Sequence, residues 1–218
     1  MAPTTSHSRK PPAVRRQEIL DAVIALASVK GLDGVRTRDV AEQVGVAPGL
    51  IHHYFPSIDD LLAESFGQWA DASLEQLRRI PDELPARTSL ALLVAEMAPE
   101  QRLWTDALTT ATRYDLLRER ARELSVAYLD HVVAMIQAGI DEGTFTCANP
   151  RESAWRLILM LDGLVAMVHT LGLIERAEVP FLVGPVVEND LGLEPGSFTE
   201  LVQAVAAAGA EMPTIVRR

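Results

Sequence analysis

Residues 37 to 56, TRDVAEQVGVAPGLIHHYFP, constrain this chain more than any other stretch. Thr37 can cap a helix, Asp39 suits the positive end of the helix dipole, and Val40, Ala41 and Val44 follow at helical spacing. Gly45 comes after the last apolar position, where a left-handed residue commonly ends a helix. Pro48 fits the first turn of a new helix, because the N–H it lacks would have no partner there. That second helix is short. It runs from Gly49 to Phe55 and holds Leu50, Ile51, His52, His53 and Tyr54. Two short helices around a tight glycine-containing turn make a helix-turn-helix. Hydrogen-bond donors and flat rings, with no carboxylate among them, suit a DNA groove.

The stretch resembles the DNA-binding region of TetR-type bacterial transcriptional regulators. Thr37-Arg38, Val40-Ala41, Gly45-Val46, Gly49, His52-His53-Tyr54-Phe55 and Leu61-Leu62 fall in that family's order and spacing. The run-in RRQEILDAVIALASVKGLDGVRTRDVA matches as well. The resemblance is specific over residues 13 to 66 and beyond them is one of helical pattern. It departs at Ala47, where the family has a capping Ser or Thr, at Ile58, where a lysine commonly touches phosphate, and at His52, which replaces a tyrosine. The resemblance implies that Thr37, Arg38, Leu50, His52, His53 and Tyr54 face DNA, with Pro48 and Gly49 leading into the recognition helix. Arg38 would then meet a phosphate or a guanine edge. It further implies a double-stranded operator, a small-molecule effector, a homodimer and no cofactor.

A net charge of −10 is unfavourable for binding DNA, but its distribution is uneven. Residues 1–55 hold seven Lys and Arg (Arg9, Lys10, Arg15, Arg16, Lys30, Arg36, Arg38) against five acids (Glu18, Asp21, Asp33, Asp39, Glu42), a net of +2. The remainder holds 13 basic and 25 acidic residues, a net of −12. A basic end on an acidic body keeps DNA at one pole. Cys147 is the one cysteine, so no internal disulfide forms, and a reducing cytoplasm fits. The opening MAPTTSHSRKPP lacks the apolar core of a signal peptide, and no apolar run reaches transmembrane length, so no membrane partner is expected.

The pattern along the chain is all-α. A disordered arm, 1–12, precedes a three-helix DNA-binding domain, 13–56, and a helical ligand-binding and dimerisation domain, 57–218. In the first helix, Val14 to Lys30, the residues Ile19, Leu20, Val23, Ile24 and Ala27 share a face. Ser57 caps a long helix bearing Leu62, Phe66, Trp69, Ser73, Leu77 and Ile80, which Pro81 stops; at roughly 35 Å it links the two domains. Helices follow over 88–97, 100–112 and 115–142, with Pro99 ending the first of them. Asn149-Pro150 with Glu152 starts another, to Leu173. Two apolar stripes mark it: Ala154, Ile158, Leu161, Val165 and Val168, then Leu157, Met160, Leu164, Met167 and Leu171. One stripe serves its own domain and the other a second subunit. Residues 174–196, rich in Pro and Gly, read as a long loop with room for a turn of helix in it. Ser197 and Glu200 form a capping box for a last helix ending near Ala208. The dimer is expected through 150–173 and 197–208.

The effector pocket is implied by the resemblance. Phe66, Trp69, Met97, Trp104, Leu108, Tyr114, Met135 and Met160 are candidate walls, since flexible Met and flat rings suit a broad site. Asp162 and His169, seven apart on one helix face, either orient a ligand or lie at the dimer seam or a wet edge, the seam or edge being favoured. His52 and His53 make no metal site, because adjacent helical residues point about 100° apart and no Cys, Asp or Glu stands at ligand spacing. No nucleophile motif or phosphate-binding glycine loop points to an enzyme. The competing reading is a helical adaptor that binds a protein and never reads DNA; it would show no salt-dependent DNA binding.

Overall fold

A computed structural model describes residues 10–78, 84–95 and 102–211. Among these residues are ten α-helices and no strand: α1 Pro12–Lys30, α2 Thr37–Val44, α3 Pro48–Tyr54, α4 Ile58–Arg78, α5 Ala86–Ala95, α6 Arg102–Thr110, α7 Asp115–Asp141, α8 Pro150–Val165, α9 Val179–Leu191 and α10 Ser197–Glu211. They form two compact units, Met1–Trp69 with Asp106–Ala121, and Ala70–Thr105 with Arg122–Arg218. The all-α architecture expected from the pattern is therefore present. Arg9, Ile80, Pro81, Met97 and Pro99 lie outside the described residues.

The first unit closes around α1. Ile19, Leu20, Val23 and Ala27 are buried there, Val40 and Ala41 of α2 join them, and α3 adds Ile51 with Phe55 just past its end. Val44 stays half-buried. The helix begins at Pro12, two residues before the expected start, because a proline needs no N–H partner in a first turn. Gly45, at φ 73°, ends α2 in the left-handed region. Ser57 and Asp60 cap α4 reciprocally: the Ser57 hydroxyl accepts from the Asp60 N–H at 3.1 Å, and the Asp60 carboxylate accepts from the Ser57 N–H at 3.0 Å. Carboxylates distant in sequence complete the unit. Asp59 accepts from the N–H groups of Leu116 and Leu117, each at 3.0 Å, and so caps α7. Asp106 accepts from the Leu32 N–H, and Arg113 donates to Asp33 at 2.7 and 2.8 Å.

The second unit departs from the sequence reading in three places. Residues 174–196 are not a loop. A 3₁₀ turn, Arg176–Glu178, leads into α9, which buries Val179, Val183, Val187 and Leu191 along one stripe. Pro180 occupies the first turn, where it is tolerated, and Pro185 is exposed within the helix. Gly184 faces α10 so closely that a Cβ would lie 2.9 Å from the Thr199 Cα. The glycine that looked like a breaker thus permits a close helix crossing.

The second departure is the cap of α10. Ser197 does not cap it, because its hydroxyl donates to the Glu194 carbonyl at 2.6 Å. Glu188 of α9 does so instead. Its carboxylate accepts from the N–H groups of Gly196 at 2.7 Å, Phe198 at 2.9 Å and Thr199 at 2.8 Å, and from the Thr199 hydroxyl at 3.0 Å. Burial, with 5% of the residue exposed, pushes this carboxyl up, but the four donors outweigh it and hold the group below the usual glutamate range. A depressed carboxyl contributes stability above its unfolded pKa and loses it as pH falls through the folded one. Glu188→Gln should therefore cost about 1–2 kcal/mol at pH 7. Thermal melts should show the gap to the parent closing below about pH 4, near and under the free glutamate value.

The third departure is in α8. Ala154, Ile158, Leu161 and Val165 are buried, and so are Leu157 and Leu164 of the other stripe. Up to Val165 both stripes therefore serve mainly the chain's own core, while Leu171, at the end of the second, is 57% exposed. The helix ends at Val165 and continues as a π turn, Ala166–Thr170, in which Met167, Val168 and His169 are half-buried. The exposed apolar side chains of α8 are Trp155 and Leu159, which belong to neither stripe.

Candidate nucleic-acid interface

The recognition helix α3 is held by Ile51 and Phe55, 0% and 1% exposed and four residues apart. With that face inward, the helical turn of about 100° per residue points His52 and His53 outward, and both are exposed. Pro48 and Gly49 are exposed, and open space lies above Gly49. Leu50, Tyr54 and Thr37 are half-buried. The His53 ring stands edge-on to Tyr54, centroids 5.6 Å apart. Ala47 supplies no side-chain cap; Pro48 has no N–H to satisfy, and the Leu50 N–H donates to the Ala47 carbonyl at 2.9 Å.

Arg16 braces this helix from α1. Its Nε donates to Glu64 at 2.9 Å, with a second bond from Nη2 to the same carboxylate. Its Nη1 donates to the Tyr54 carbonyl at 3.0 Å, and the guanidinium lies 4.3 Å over the Phe55 ring. The sequence reading placed Arg16 in a basic cluster; its bonds hold the end of α3 instead. Other cations are also engaged. Lys10 and Arg15 pair with Glu18, and Lys30 pairs with Asp39. In each pair the lysine bond holds the carboxyl below its usual range. Arg36 donates to the carbonyls of Asp33 and Val35. Of the six Lys and Arg between residues 10 and 55, Arg38 alone has no hydrogen bond or ion pair among the described residues. It is exposed on the first turn of α2. The surface thus offers one uncommitted guanidinium, two imidazoles and a phenol.

The eight candidate pocket residues do not gather in one unit. Phe66, Trp69, Leu108 and Tyr114 belong to the first; Trp104, Met135 and Met160 belong to the second; Met97 lies outside the described residues. Phe66 and Met135 are buried, while Leu108 is 47% exposed. Phe66 and Trp69 pair at 5.9 Å. Met160, beside Leu90, Ile136 and Leu157, lines a cleft of about 10 Å³, room for one water. Trp104 pairs with Tyr128, centroids 6.3 Å apart. Burial, and after it the charge of Asp162, drives the Tyr128 phenol well above its usual range. Tyr128 was read only as one residue of an inner stripe; its pairing across two helices has no local signature. Asp162 is half-buried, and burial raises its carboxyl. Among the described residues no helix is long and apolar enough to cross a membrane.

Residues 19–65 match the family profile described as "Bacterial regulatory proteins, tetR family". The chain is 46% identical over 54 residues to the HTH-type transcriptional repressor KstR of Mycolicibacterium smegmatis, which spans 25% of this chain and 26% of that protein. It is 24% identical over 165 residues to the repressor KstR2 of Rhodococcus jostii, covering 72% of this chain and 81% of that one. In fold it is similar to the transcriptional regulator FadR of Bacillus subtilis, solved with stearoyl-CoA, at a TM-score of 0.62 and 22% identity, over 78% of this chain and 97% of that one. The first match falls on the surface just described, and the others extend the likeness across the helical body. Residues 19–65 are therefore a DNA-binding domain of the TetR type, and the chain is a DNA-binding transcriptional regulator.

Proposed function

We propose that the protein is a homodimeric cytoplasmic repressor that grips a palindromic operator with α3 of each subunit and releases it when a small molecule binds. The observation that carries the DNA-contact assignment is Arg38, the one Lys or Arg of residues 10–55 left uncommitted among the described residues, exposed on the first turn of α2 in the same unit as exposed His52 and His53. DNA contact belongs to residues 13–56, and ligand binding and dimerisation to 57–218. The chain of α4 is continuous from one unit into the other. A ligand that favours one setting of α4 changes the spacing of the two recognition helices, which then miss major grooves about 34 Å apart. A ligand without such a preference releases nothing.

The dimer seam follows the exposed apolar residues. These are Trp155 and Leu159 on α8, with Phe181, Leu182 and Val186 on α9. The two helices pack together, and Arg156 ties their rim to Asp190 at 2.7 Å. Helix α10 packs on α5 and α9 and exposes Gln203, Ala204 and Ala206 to Ala208. Helix α9 thus replaces residues 197–208 in the proposed seam beside α8. A second copy covers such a patch more simply than water does.

Arg38→Ala tests the DNA surface. Affinity for the upstream region should fall by about 1–3 kcal/mol, and the slope of log affinity against log salt should flatten by about one. An anisotropy titration at several salt concentrations measures both. A parent protein whose line is flat would favour the adaptor reading.

A further inference from the structure

We infer that Arg16 sets operator specificity without touching DNA: it is a positioning residue that fixes the end of α3, and with it the side chains α3 presents. This rests on the reading of α3 as the DNA-contacting helix. Helix α3 has seven residues, about two turns, and a helix that short does not hold itself in water. Ile51 and Phe55 fix its inner face. They do nothing for its last carbonyls, which no N–H of the helix answers. Arg16 answers the final one: its Nη1 donates to the Tyr54 carbonyl at 3.0 Å, at the negative end of the helix dipole. One residue on, the backbone turns extended at Phe55, with φ −134° and ψ 113°. The same guanidinium lies 4.3 Å over the Phe55 ring.

The guanidinium is held in turn from beyond the bend into α4. Its Nε donates to Glu64 at 2.9 Å, and Nη2 donates to the same carboxylate. Beside that pair, Gln17 and Gln68 exchange amide bonds, both at 2.8 Å, and keep α1 and α4 in register. One side chain of α1 thus grips the chain on both sides of the α3–α4 bend. All three of its nitrogens are engaged, and Glu64 offsets its charge, so it is a poor partner for phosphate. Its effect on DNA comes through geometry. Reading a base edge needs hydrogen bonds placed to a few tenths of an ångström, whereas attraction to phosphate charge does not. His52, His53 and Tyr54 lie within two residues of the carbonyl Arg16 holds. Freeing that carbonyl costs specific affinity and leaves non-specific affinity in place. Lysine cannot substitute, because an ammonium has neither the fork for the carboxylate nor the flat face for the ring.

The test is fluorescence anisotropy on the full-length protein with two duplexes at several salt concentrations. One is an inverted repeat from the region upstream of the protein's own coding sequence; the other is a scrambled duplex of equal length. Arg16→Lys keeps the charge and should weaken the repeat about tenfold. Its affinity for the scrambled duplex should stay within about twofold of the parent, with the same salt slope. Glu64→Gln leaves Arg16 on Phe55 and Tyr54, weakens the fork, and should lower the preference for the repeat about threefold. The double variant should lose little more than Arg16→Lys, because both changes act at one joint. Circular dichroism melts keep each titration below the unfolding transition. A preference unchanged in Arg16→Lys overturns the proposal; if that variant does not fold, a preference unchanged in Glu64→Gln does so. Equal losses on both duplexes, with a salt slope flatter by about one, would make Arg16 a phosphate contact and overturn it too. A parent without preference removes the DNA reading of α3 and this inference with it, whereas a parent preference that both variants keep removes this inference alone.

Discussion

Leu159→Asp should turn the dimer into folded monomers that no longer hold operator. Leu159 is 64% exposed in the single subunit, so a polar residue there costs the subunit's own fold little. In a seam of Trp155, Leu159, Phe181 and Leu182 the same carboxylate loses its water without gaining a partner. Two recognition helices tied together read two half-sites, and one alone reads one. Operator affinity should fall toward the non-specific range, a loss on the order of 10³-fold. Sedimentation should give a monomer with the parent's helical circular dichroism. An intact dimer would remove α8 from the seam. Val165, which the two-stripe pattern would have chosen for this test, is 3% exposed within its own core, and Val165→Asp would unfold the chain rather than split it.

Gly184→Val should destabilise the second unit by roughly 3 kcal/mol or more, at the upper end of overpacking. The added Cβ would stand 2.8 Å from the Thr199 Cβ and 2.9 Å from its Cα, and a helical backbone cannot yield as a flexible side chain can. The damage spreads, because Thr199 gives two of the four bonds that hold Glu188. Gly184→Ala is the sharper comparison. Alanine gains about 1 kcal/mol in helix propensity over glycine, so a more stable alanine variant would show that α9 and α10 are not in close contact there. Urea unfolding gives the sign.

The parts legible in the sequence are those whose cause is local. Gly45, Pro48 and the spacing of Val40, Ala41, Ile51 and Phe55 lie within twenty residues, and each acts on its own backbone or on the adjacent helix. The Ser57–Asp60 cap is as local. What escaped is what long-range packing decides. Glu188 caps a helix whose own Ser197 and Glu200 looked sufficient, and Gly184 is a contact where it looked like a break. Arg16 appeared as one more cation of a basic end, because its carboxylate partner Glu64 lies 48 residues on. On α8 the two stripes were both present, but periodicity cannot tell a core face from a seam, since both are apolar. Trp155 and Leu159 stood apart only once the burial of each side chain was known. The pocket residues were chosen by type, and type does not bring Phe66 and Met135 into one unit.

The most direct test is sequence-specific binding to the region upstream of the protein's own coding sequence. Anisotropy at physiological salt should show the parent binding a short inverted repeat there at least about 10³-fold more tightly than a scrambled duplex of equal length. His53→Ala should remove about 1–3 kcal/mol of that preference while leaving the melting temperature unchanged. Equal affinity for the two duplexes, in a protein that is folded and dimeric, would contradict the assignment of α3 as the reader of DNA.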